Sequence, residues 1–341
     1  MAQPARMSDV AKLARVSTMT VSRVLNNNPN VLEETRQRVY LAVEQLSYQR
    51  NELARSLREK RSRQIGIIVP NLYDPFFALC AHVISGVAKE HGYSVNIATS
   101  DEDAAAEFSE ANRMLLRHVE GLAVIPAAVT HGASRLLGSE LDTLPIVALD
   151  RPLHGEGKRN DAVLVENKLG ARRGTEHLLA LGYTRIVFVG LERLPFTLRM
   201  RHEGYAAAMK ARGLKDRSLF VSGELQATME ELRELLQGPE PPDAIFSGNN
   251  LLTRQVLHSL QALNIYPPER IGLVGFDDFE TADLLRPGIT VVRQPTIALA
   301  RRAAELLFER LQSGETITSG NHIVLPVELI VRGSCGAKVR A

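Results

Sequence analysis

The chain has 341 residues, of which 45% are hydrophobic and 23% charged, and it contains no tryptophan. Its formal net charge of +2 is unevenly spread, because residues 1–63 hold 12 basic and 6 acidic side chains whereas the remainder holds 29 and 33. This length allows two or three domains with ordinary cores. The basic first fifth indicates a small module that contacts a polyanion. A disordered basic tail is the alternative, and the helical periodicity described below disfavours it.

Several classes of protein are disfavoured by what the sequence lacks. No apolar run approaches the roughly 18 residues that a membrane span needs, so we expect no membrane partner. Cys80 and Cys335 are too few for a disulfide framework and lack metal-ligand spacing, so we expect neither a metal nor a cofactor. No apolar signal segment opens the chain, which predicts a cytoplasmic location. The first apolar run is not followed by G-x-G-x-x-G, and neither a P-loop nor a G-x-S-x-G elbow is present, which argues against an enzyme.

Three short helices are predicted in the basic segment. The first starts at Ser8-Asp9, the second at Ser17, and the third runs from about Glu33 to Leu46, with a strong breaker at residues 26–30. The predicted apolar faces are Val10, Leu13 and Ala14, then Val21, Val24 and Leu25, then Val39, Ala42, Val43 and Leu46. Two short helices joined by a tight turn and backed by a third predict a helix-turn-helix.

The second helix carries side chains that suit DNA. Those predicted to project outward from it are Thr18, Met19, Ser22 and Arg23. Arg23 can make a bidentate contact with guanine, whereas Ser17, Thr20 and the helix N-termini suit phosphates. Plain solvent exposure is the alternative for Thr18 and Met19, and a surface salt bridge is the alternative for Arg23.

The same segment resembles the headpiece of the LacI/GalR family of transcriptional regulators. The strings that carry the resemblance are SDVAKLARVSTMTVSRVLN, V-x-x-E-T-R-x-R-V and L-S-Y-x-x-N, within residues 7–64. The resemblance implies that Thr18, Met19 and Arg23 read an operator. It also implies a hinge helix over Asn51–Arg58, in which Leu57 wedges into the minor groove while Arg55 and Arg58 offset phosphate charge. An ordinary linker is the alternative for Leu57. The full candidate DNA-binding set is Ser17, Thr18, Met19, Thr20, Ser22, Arg23, Asn26, Tyr48, Asn51, Arg55, Leu57 and Arg58.

Three headpiece positions depart from the family pattern. Arg15 stands where the family usually has glycine in the turn, and a left-handed conformation would strain it. Leu32 occupies a position where a capping serine or threonine is common, and Arg50 replaces a frequent proline.

The body of the chain alternates apolar strands with amphipathic helices. Predicted strands lie at 65–69, 94–98, 122–125, 146–149, 186–189, 244–247 and 271–275. Predicted helices lie near 76–91, 106–118, 168–181, 202–212, 227–237, 251–263 and 296–312. Fully apolar strands that alternate with helices predict an α/β fold of two doubly wound parallel-sheet subdomains. The predicted domains are a helix-turn-helix over 1–50, a hinge helix and linker over 51–63, and an effector-binding and dimerisation core over 64–335.

This body resembles the LacI/GalR core, whose subdomains are of the periplasmic-binding-protein type. The resemblance rests on strings such as IGIIVPNLYDPFFA, PIVALDRP, AIFSGNN and IGLVGFDD. It implies an effector cleft at the carboxyl ends of the strands. The candidate effector-binding residues are Asp74, Phe76, Asp150, Arg199, Arg201, Asn249, Asp277 and Gln294. Carboxylates and amides suit vicinal hydroxyls, a guanidinium forks onto hydroxyls or a carboxylate, and an aromatic ring stacks on a sugar. A turn residue is the alternative for Asp74 and Asn249, a helix cap for Asp277, and a surface arginine for Arg201.

Two cleft positions depart from the family pattern, and arginines are frequent near the others. Asn250 and Glu166 stand where the family commonly has Asp. If Arg151, Arg199 and Arg201 all lie near the cleft, an anionic ligand is favoured over a neutral sugar. The hypothesis is a sugar acid, as in the family's gluconate- and 2-ketogluconate-responsive members.

A ligand-controlled regulator is the class of protein that uses every segment. A periplasmic sugar-binding protein would need a signal peptide and would lack residues 1–63, and a simple nucleoid protein would lack the cleft. The resemblance implies a homodimeric repressor on a double-stranded, inverted-repeat operator, with a sugar or sugar acid as effector. The C-terminus has no heptad-bearing helix, so a tail-mediated tetramer is not expected.

Overall fold

Two structural units make up the chain, Met1–Ser62 and Arg63–Ala341. The computed structural model describes residues 5–25, 28–48, 61–127, 136, 141, 144–153, 161–192, 195–313 and 320–336. Five predicted DNA-binding residues lie outside the described residues: Asn26, Asn51, Arg55, Leu57 and Arg58.

The first unit is a three-helix bundle with the predicted helix-turn-helix. Its helices are α1 (Met7–Ala14), α2 (Thr18–Leu25) and α3 (Glu33–Gln45). Its buried core is Val10, Ala11, Ala14, Val21, Val24, Val39 and Ala42. Leu13 was predicted to face this core, but 47% of its surface is exposed. Ala11 is buried instead. Together with Val10 and Ala14, it lies on the face of α1 that packs against α2 and α3.

The turn between α1 and α2 has the predicted left-handed residue. Arg15 has φ 54° and ψ 47°, a conformation that most L-residues avoid at a cost of about 1 kcal/mol. Helix α3 begins after Leu32, whose side chain makes no capping hydrogen bond. The departures at Arg15 and Leu32 are therefore features of the backbone, whereas Arg50 lies outside the described residues.

The second unit contains two six-stranded sheets. The strands are β1 (Gln64–Val69), β2 (Ser94–Thr99), β3 (Gly121–Val124), β4 (Ile146–Leu149), β5 (Asp161–Val165), β6 (Ile186–Leu191), β7 (Ser218–Val221), β8 (Ala244–Ser247), β9 (Gly272–Phe276), β10 (Thr290–Arg293), β11 (His322–Leu325) and β12 (Glu328–Ile330). The first sheet has the order β11-β5-β4-β3-β1-β2, and the second has the order β12-β10-β9-β8-β6-β7. All neighbouring strands run parallel except β12, which pairs antiparallel with β10.

Helices cover both sheets. They are α4 (Pro75–Glu90), α5 (Ala104–Leu116), α6 (Asn167–Ala180), α7 (Phe196–Ala211), α8 (Leu225–Gln237), α9 (Asn250–Ala262) and α10 (Thr296–Ser313). The chain crosses between sheets three times: after β5, after β10 and after β11. These crossings place a cleft between two doubly wound subdomains, at the carboxyl ends of both sets of strands.

Two close contacts hold the helices in place. An added Cβ on Gly204 of α7 would lie 2.1 Å from the carbonyl oxygen of Lys168 in α6, so only glycine allows this approach. On α10, Arg310 donates to both oxygens of the fully buried Asp161 at 2.7 and 3.0 Å. This pair joins α10 to the start of β5.

Candidate ligand cleft and DNA-binding face

The N-terminal half of α2 is ordered by a serine cap. The Ser17 hydroxyl accepts a hydrogen bond from the Thr20 backbone nitrogen at 3.1 Å and lies 2.9 Å from the Thr20 hydroxyl. Thr18, Met19 and Arg23 are exposed, and 65% of the Met19 surface is accessible. Helix α2 therefore offers an accessible hydroxyl and thioether in its first turn and an accessible guanidinium in its last turn, and groups of these kinds can contact base edges in a major groove.

Thr20 and Ser22 are half-buried on the same helix, and Tyr48 is half-buried just after α3. The Tyr48 backbone nitrogen donates to the carbonyl oxygen of Val43 at 2.9 Å, which closes the end of α3. These three side chains lie beside the exposed face or support it.

The second candidate site is a cavity of about 170 Å3 between the two sheets of the second unit. It opens where strands β1, β4, β6, β8 and β9 end. Predicted residues on its wall are Asp74, Phe76, Asp150, Arg201, Asn249, Asp277 and Gln294. Polar wall residues outside the predicted set include Asn71, Glu102, Arg151, Asn250 and Arg254.

Arg201 makes three hydrogen bonds at the cleft. Its Nε donates to Asn167 Oδ1 at 2.8 Å, and one terminal nitrogen donates to the Gly248 carbonyl at 2.8 Å. The same nitrogen donates to Asp277 Oδ2 at 3.0 Å, and the guanidinium lies 3.7 Å from the centre of the Phe276 ring. Only 2% of Arg201 is exposed, so the cation is fixed by its neighbours.

A second buried cation faces it from the first sheet. Arg151 donates to both oxygens of Glu102 at 3.0 and 2.9 Å and to Asp150 Oδ2 at 3.3 Å. Asp150 has φ 68°, a left-handed backbone directly after β4. Both arginines therefore reach the cavity with their charge already paired to carboxylates.

Burial controls the ionisation of the cleft carboxyls. It raises the pKa of Asp150, against the opposing attraction of Arg151 and Arg201. It also raises the pKa of Asp277, against the attraction of Arg201 and the hydrogen bond from Gln294. Near the cavity, burial raises the pKa of Glu107 to about 7, while a hydrogen bond from the Ala127 backbone nitrogen opposes the shift.

Asp74 and Asn249 cap the helices that begin at the cleft. Asp74 accepts from the Phe76 backbone nitrogen at 3.0 Å, and Asn249 Oδ1 accepts from the Leu252 backbone nitrogen at 2.9 Å. Both side chains therefore cap a helix and also lie on the cavity wall. This capping role was not predicted from the sequence, where the alternative for both residues was a turn. Gln294 donates to Asp277, and its buried Oε1 has no hydrogen-bond partner within the described part of the chain.

Arg199 is not brought to the cleft. It is exposed on α7, with its guanidinium 5.8 Å from the Phe196 ring, and it is not on the cavity wall. Residues two apart on a helix point in different directions, so Arg199 and Arg201 cannot both face the cavity. The expectation of three arginines around the ligand is therefore wrong for Arg199, whereas Arg151 and Arg201 do line the cavity.

No described helix is long and apolar enough to cross a membrane. Among the residues that the structure describes, no group of three potential metal ligands comes together.

A helix-turn-helix unit followed by a two-sheet unit with a polar cleft defines a DNA-binding regulator that responds to a small molecule. The family model for bacterial regulatory proteins of the lacI family matches residues 6–51, and the model for a periplasmic binding protein-like domain matches residues 175–335. The chain is 32% identical to the ribose operon repressor of Escherichia coli K12 over 313 residues, covering 90% of this chain and 93% of that protein. It belongs to the LacI family and is a DNA-binding transcriptional repressor with a small-molecule effector.

Two further comparisons agree with this assignment. The chain is 29% identical to the HTH-type transcriptional repressor PurR of Haemophilus influenzae, over 97% of this chain and 98% of that protein. The crystal structure of the lac repressor dimer bound to operator and the anti-inducer ONPF matches with a TM-score of 0.82 and 25% identity, over 98% of this chain and 100% of that one. These relatives are repressors rather than enzymes.

Proposed function

We propose that the cleft binds a neutral, polyhydroxylated molecule of monosaccharide size, and that this ligand sets the affinity of the repressor for its operator. The observation that carries the proposal is the pairing of the buried cations. Arg201 lies 3.0 Å from Asp277, and Arg151 lies 2.9 Å from Glu102 and 3.3 Å from Asp150. Neither guanidinium has an unbalanced charge to offer an anion, but both hold carboxylates in place as hydroxyl acceptors.

The chemistry of the wall supports a sugar, and the volume between the sheets allows a small one. This cavity has about 170 Å3 and shares Phe76, Asp277 and Gln294 with a neighbouring cavity of about 900 Å3. Carboxylate and amide oxygens accept from vicinal hydroxyls, and the Phe76 ring offers an apolar face for a sugar. Because a relative with 32% identity is a ribose operon repressor, ribose is the first candidate.

A sugar acid is the second candidate, and one residue favours it. Arg254 is an exposed wall residue of the cavity, and no described residue forms a hydrogen bond or ion pair with it. Its guanidinium could meet a carboxylate or phosphate at the rim of the cleft.

Calorimetric titration of the full chain distinguishes these candidates. The panel is ribose, glucose, gluconate, 2-ketogluconate and a purine base. The proposal expects micromolar binding of a neutral sugar, with the acids at least tenfold weaker. Sugar acids that bind at least tenfold more tightly, with the preference abolished by Arg254→Ala, would replace it with the second candidate.

On the DNA side, we propose that Thr18, Met19 and Arg23 contact base edges, while Ser17, Thr20, Ser22, Asn26 and Tyr48 position the helix. The proposed hinge contacts are Asn51, Arg55, Leu57 and Arg58, with Leu57 as a minor-groove wedge. The exposed α2 side chains support the first group. Leu57→Ala is expected to reduce the bend of the operator, as measured by the distance between dyes at its ends, and an unchanged bend would refute the wedge.

The proposed assembly is a homodimer on an inverted-repeat operator, with domains at 1–50, 51–63 and 64–335. Exposed apolar side chains support a second copy as partner: Leu79 on α4 is 37% accessible and Ile97 on the edge strand β2 is 46% accessible. Light scattering coupled to gel filtration is expected to give twice the 37.6 kDa of one chain. A monomer at micromolar concentration would contradict this assembly.

A further inference from the structure

One hydrogen bond crosses the cleft directly. Asn250 is the first residue of α9, in the second subdomain, and only 4% of it is exposed. Its side-chain nitrogen donates to Asp74 Oδ1 at 3.0 Å. Asp74 caps α4 in the first subdomain, so this bond joins the helices that begin on opposite sides of the ligand cavity.

With this bond, one carboxylate oxygen of Asp74 accepts two hydrogen bonds, while the other accepts none from the described residues. Oδ1 accepts from both the Phe76 backbone nitrogen and Asn250, each at 3.0 Å. Oδ2 has no hydrogen-bond partner among the described residues, and Asp74 is a wall residue of the cavity. A carboxylate held by two donors on one oxygen presents the other oxygen in a fixed direction, which is what recognition of a hydroxyl requires.

The donor at position 250 must be uncharged or positive for this arrangement to hold. A carboxylate at hydrogen-bond distance from Asp74 would place two like charges together, and both could not remain ionised. Asp277 already adds negative charge near Asp74. The charged and titratable groups around the pair, among the described residues of the elements that face it, are Tyr73, Cys80, Glu102, Asp150, Arg151, Arg201, Arg254 and Asp277.

We propose that Asn250 is a positioning residue for the effector: its amide orients Asp74 across the cleft so that the free carboxylate oxygen accepts a ligand hydroxyl. The inference rests on the proposed function, since it assigns one acceptor of the same ligand. It also makes position 250 a determinant of affinity, although the residue need not touch the ligand itself.

Asn250→Asp, Asn250→Ala and a control, Asn96→Asp, test the proposal. The control introduces the same charge on β2, where Asn96 donates to the Gln64 side chain 3.0 Å away and an Asp could instead accept from that amide. Ribose affinity is measured by calorimetry at pH 8 and pH 5. Asn250→Asp is expected to bind at least tenfold more weakly than wild type at pH 8 and to recover most of that loss at pH 5, where the two carboxyls share a proton. Asn250→Ala is expected to lose several-fold at both pH values, and Asn96→Asp is expected to match wild type.

Thermal unfolding without ligand separates failure of this inference from failure of the proposed function. In the Asn250→Asp variant, the folded state binds the proton shared by Asp74 and the new carboxyl more tightly than the unfolded state does. The stability of this variant relative to wild type should therefore fall as the pH rises from 5 to 8. If wild type binds no sugar but the stability of Asn250→Asp falls in this way, the proposed ligand class is wrong, whereas the contact between position 250 and Asp74 is supported. If Asn250→Asp matches wild type in both ribose affinity and melting temperature at pH 8, the proposal is overturned.

Discussion

Removing the Arg201 side chain should destabilise the second unit strongly. The guanidinium is buried, and its partners would be left without their hydrogen-bond donor. Arg201→Ala leaves the Asp277 carboxylate without its cation and removes the donors to Asn167 and Gly248. Breaking a buried ion pair by removing one partner costs about 3–5 kcal/mol. For a domain of this size that corresponds to a fall of roughly 10 °C in the melting temperature.

The assay is urea and thermal unfolding of the full chain followed by far-UV circular dichroism, since the chain has no tryptophan for fluorescence. Arg199→Ala is the matched control, because Arg199 is an exposed arginine on the same helix. Its effect should stay within about 0.5 kcal/mol. A loss of stability below about 1 kcal/mol in Arg201→Ala, or one equal to that of the control, would show that the buried ion pair with Asp277 does not stabilise the second unit. Ligand binding by Arg201→Ala is expected to be lost even at temperatures where the variant remains folded.

Three other substitutions each test the role of one residue. Gly204→Ala should destabilise the second unit by about 3 kcal/mol in urea, because the new Cβ would lie 2.1 Å from the Lys168 carbonyl oxygen. Glu107→Gln should stabilise the chain at pH 8 but not at pH 4.5. Burial raises the pKa of Glu107 from 4.5 to about 7, so wild type loses roughly 3 kcal/mol of stability as the pH rises from 4.5 to 7. Arg23→Ala should weaken operator binding by about 1–3 kcal/mol and weaken random DNA binding less.

Each of these predictions has its own contrary result. Gly204→Ala with wild-type stability would mean that α6 and α7 can separate without loss. The same stability difference between Glu107→Gln and wild type at pH 4.5 and pH 8 would show that this carboxyl ionises normally. Equal losses on operator and random DNA would make Arg23 a phosphate contact rather than a reader of bases.

Apolar runs of the sequence were sufficient to predict much of the α/β core. The strands at Ile146–Leu149 and Ala244–Ser247 have the predicted bounds, because a run of buried apolar residues in a parallel sheet is a local pattern. Strand β5 was missed because it begins with the charged residue Asp161. Its burial depends on Arg310, which is 149 positions away in the chain.

The candidate cleft was predictable where a residue directly follows a strand. Asp150, Asn249 and Asp277 follow β4, β8 and β9 closely, so topology alone brings them to one edge. The misplacement of Arg199 came from starting the helix at 202, whereas α7 begins at Phe196 after Pro195. Pro195 was the available signal, since proline favours helix starts.

Contacts between the two subdomains could not be predicted from local sequence patterns. Asp74 and Asn250 are 176 positions apart, and only the packing of the two subdomains brings them within 3.0 Å. The sequence showed that position 250 departs from the family pattern, but its partner could not be inferred without the fold.

Operator affinity is compared in the presence and absence of ligand, because the ligand is proposed to set that affinity. The operator is selected from random DNA by the wild-type protein, and its dissociation constant is measured by fluorescence anisotropy across a ribose titration at fixed salt. A ligand that controls the repressor should change that constant by roughly 5–150-fold, and Arg201→Ala should abolish the change. Ribose that binds the protein but leaves operator affinity unchanged at saturation would contradict the claim that this cleft controls DNA binding.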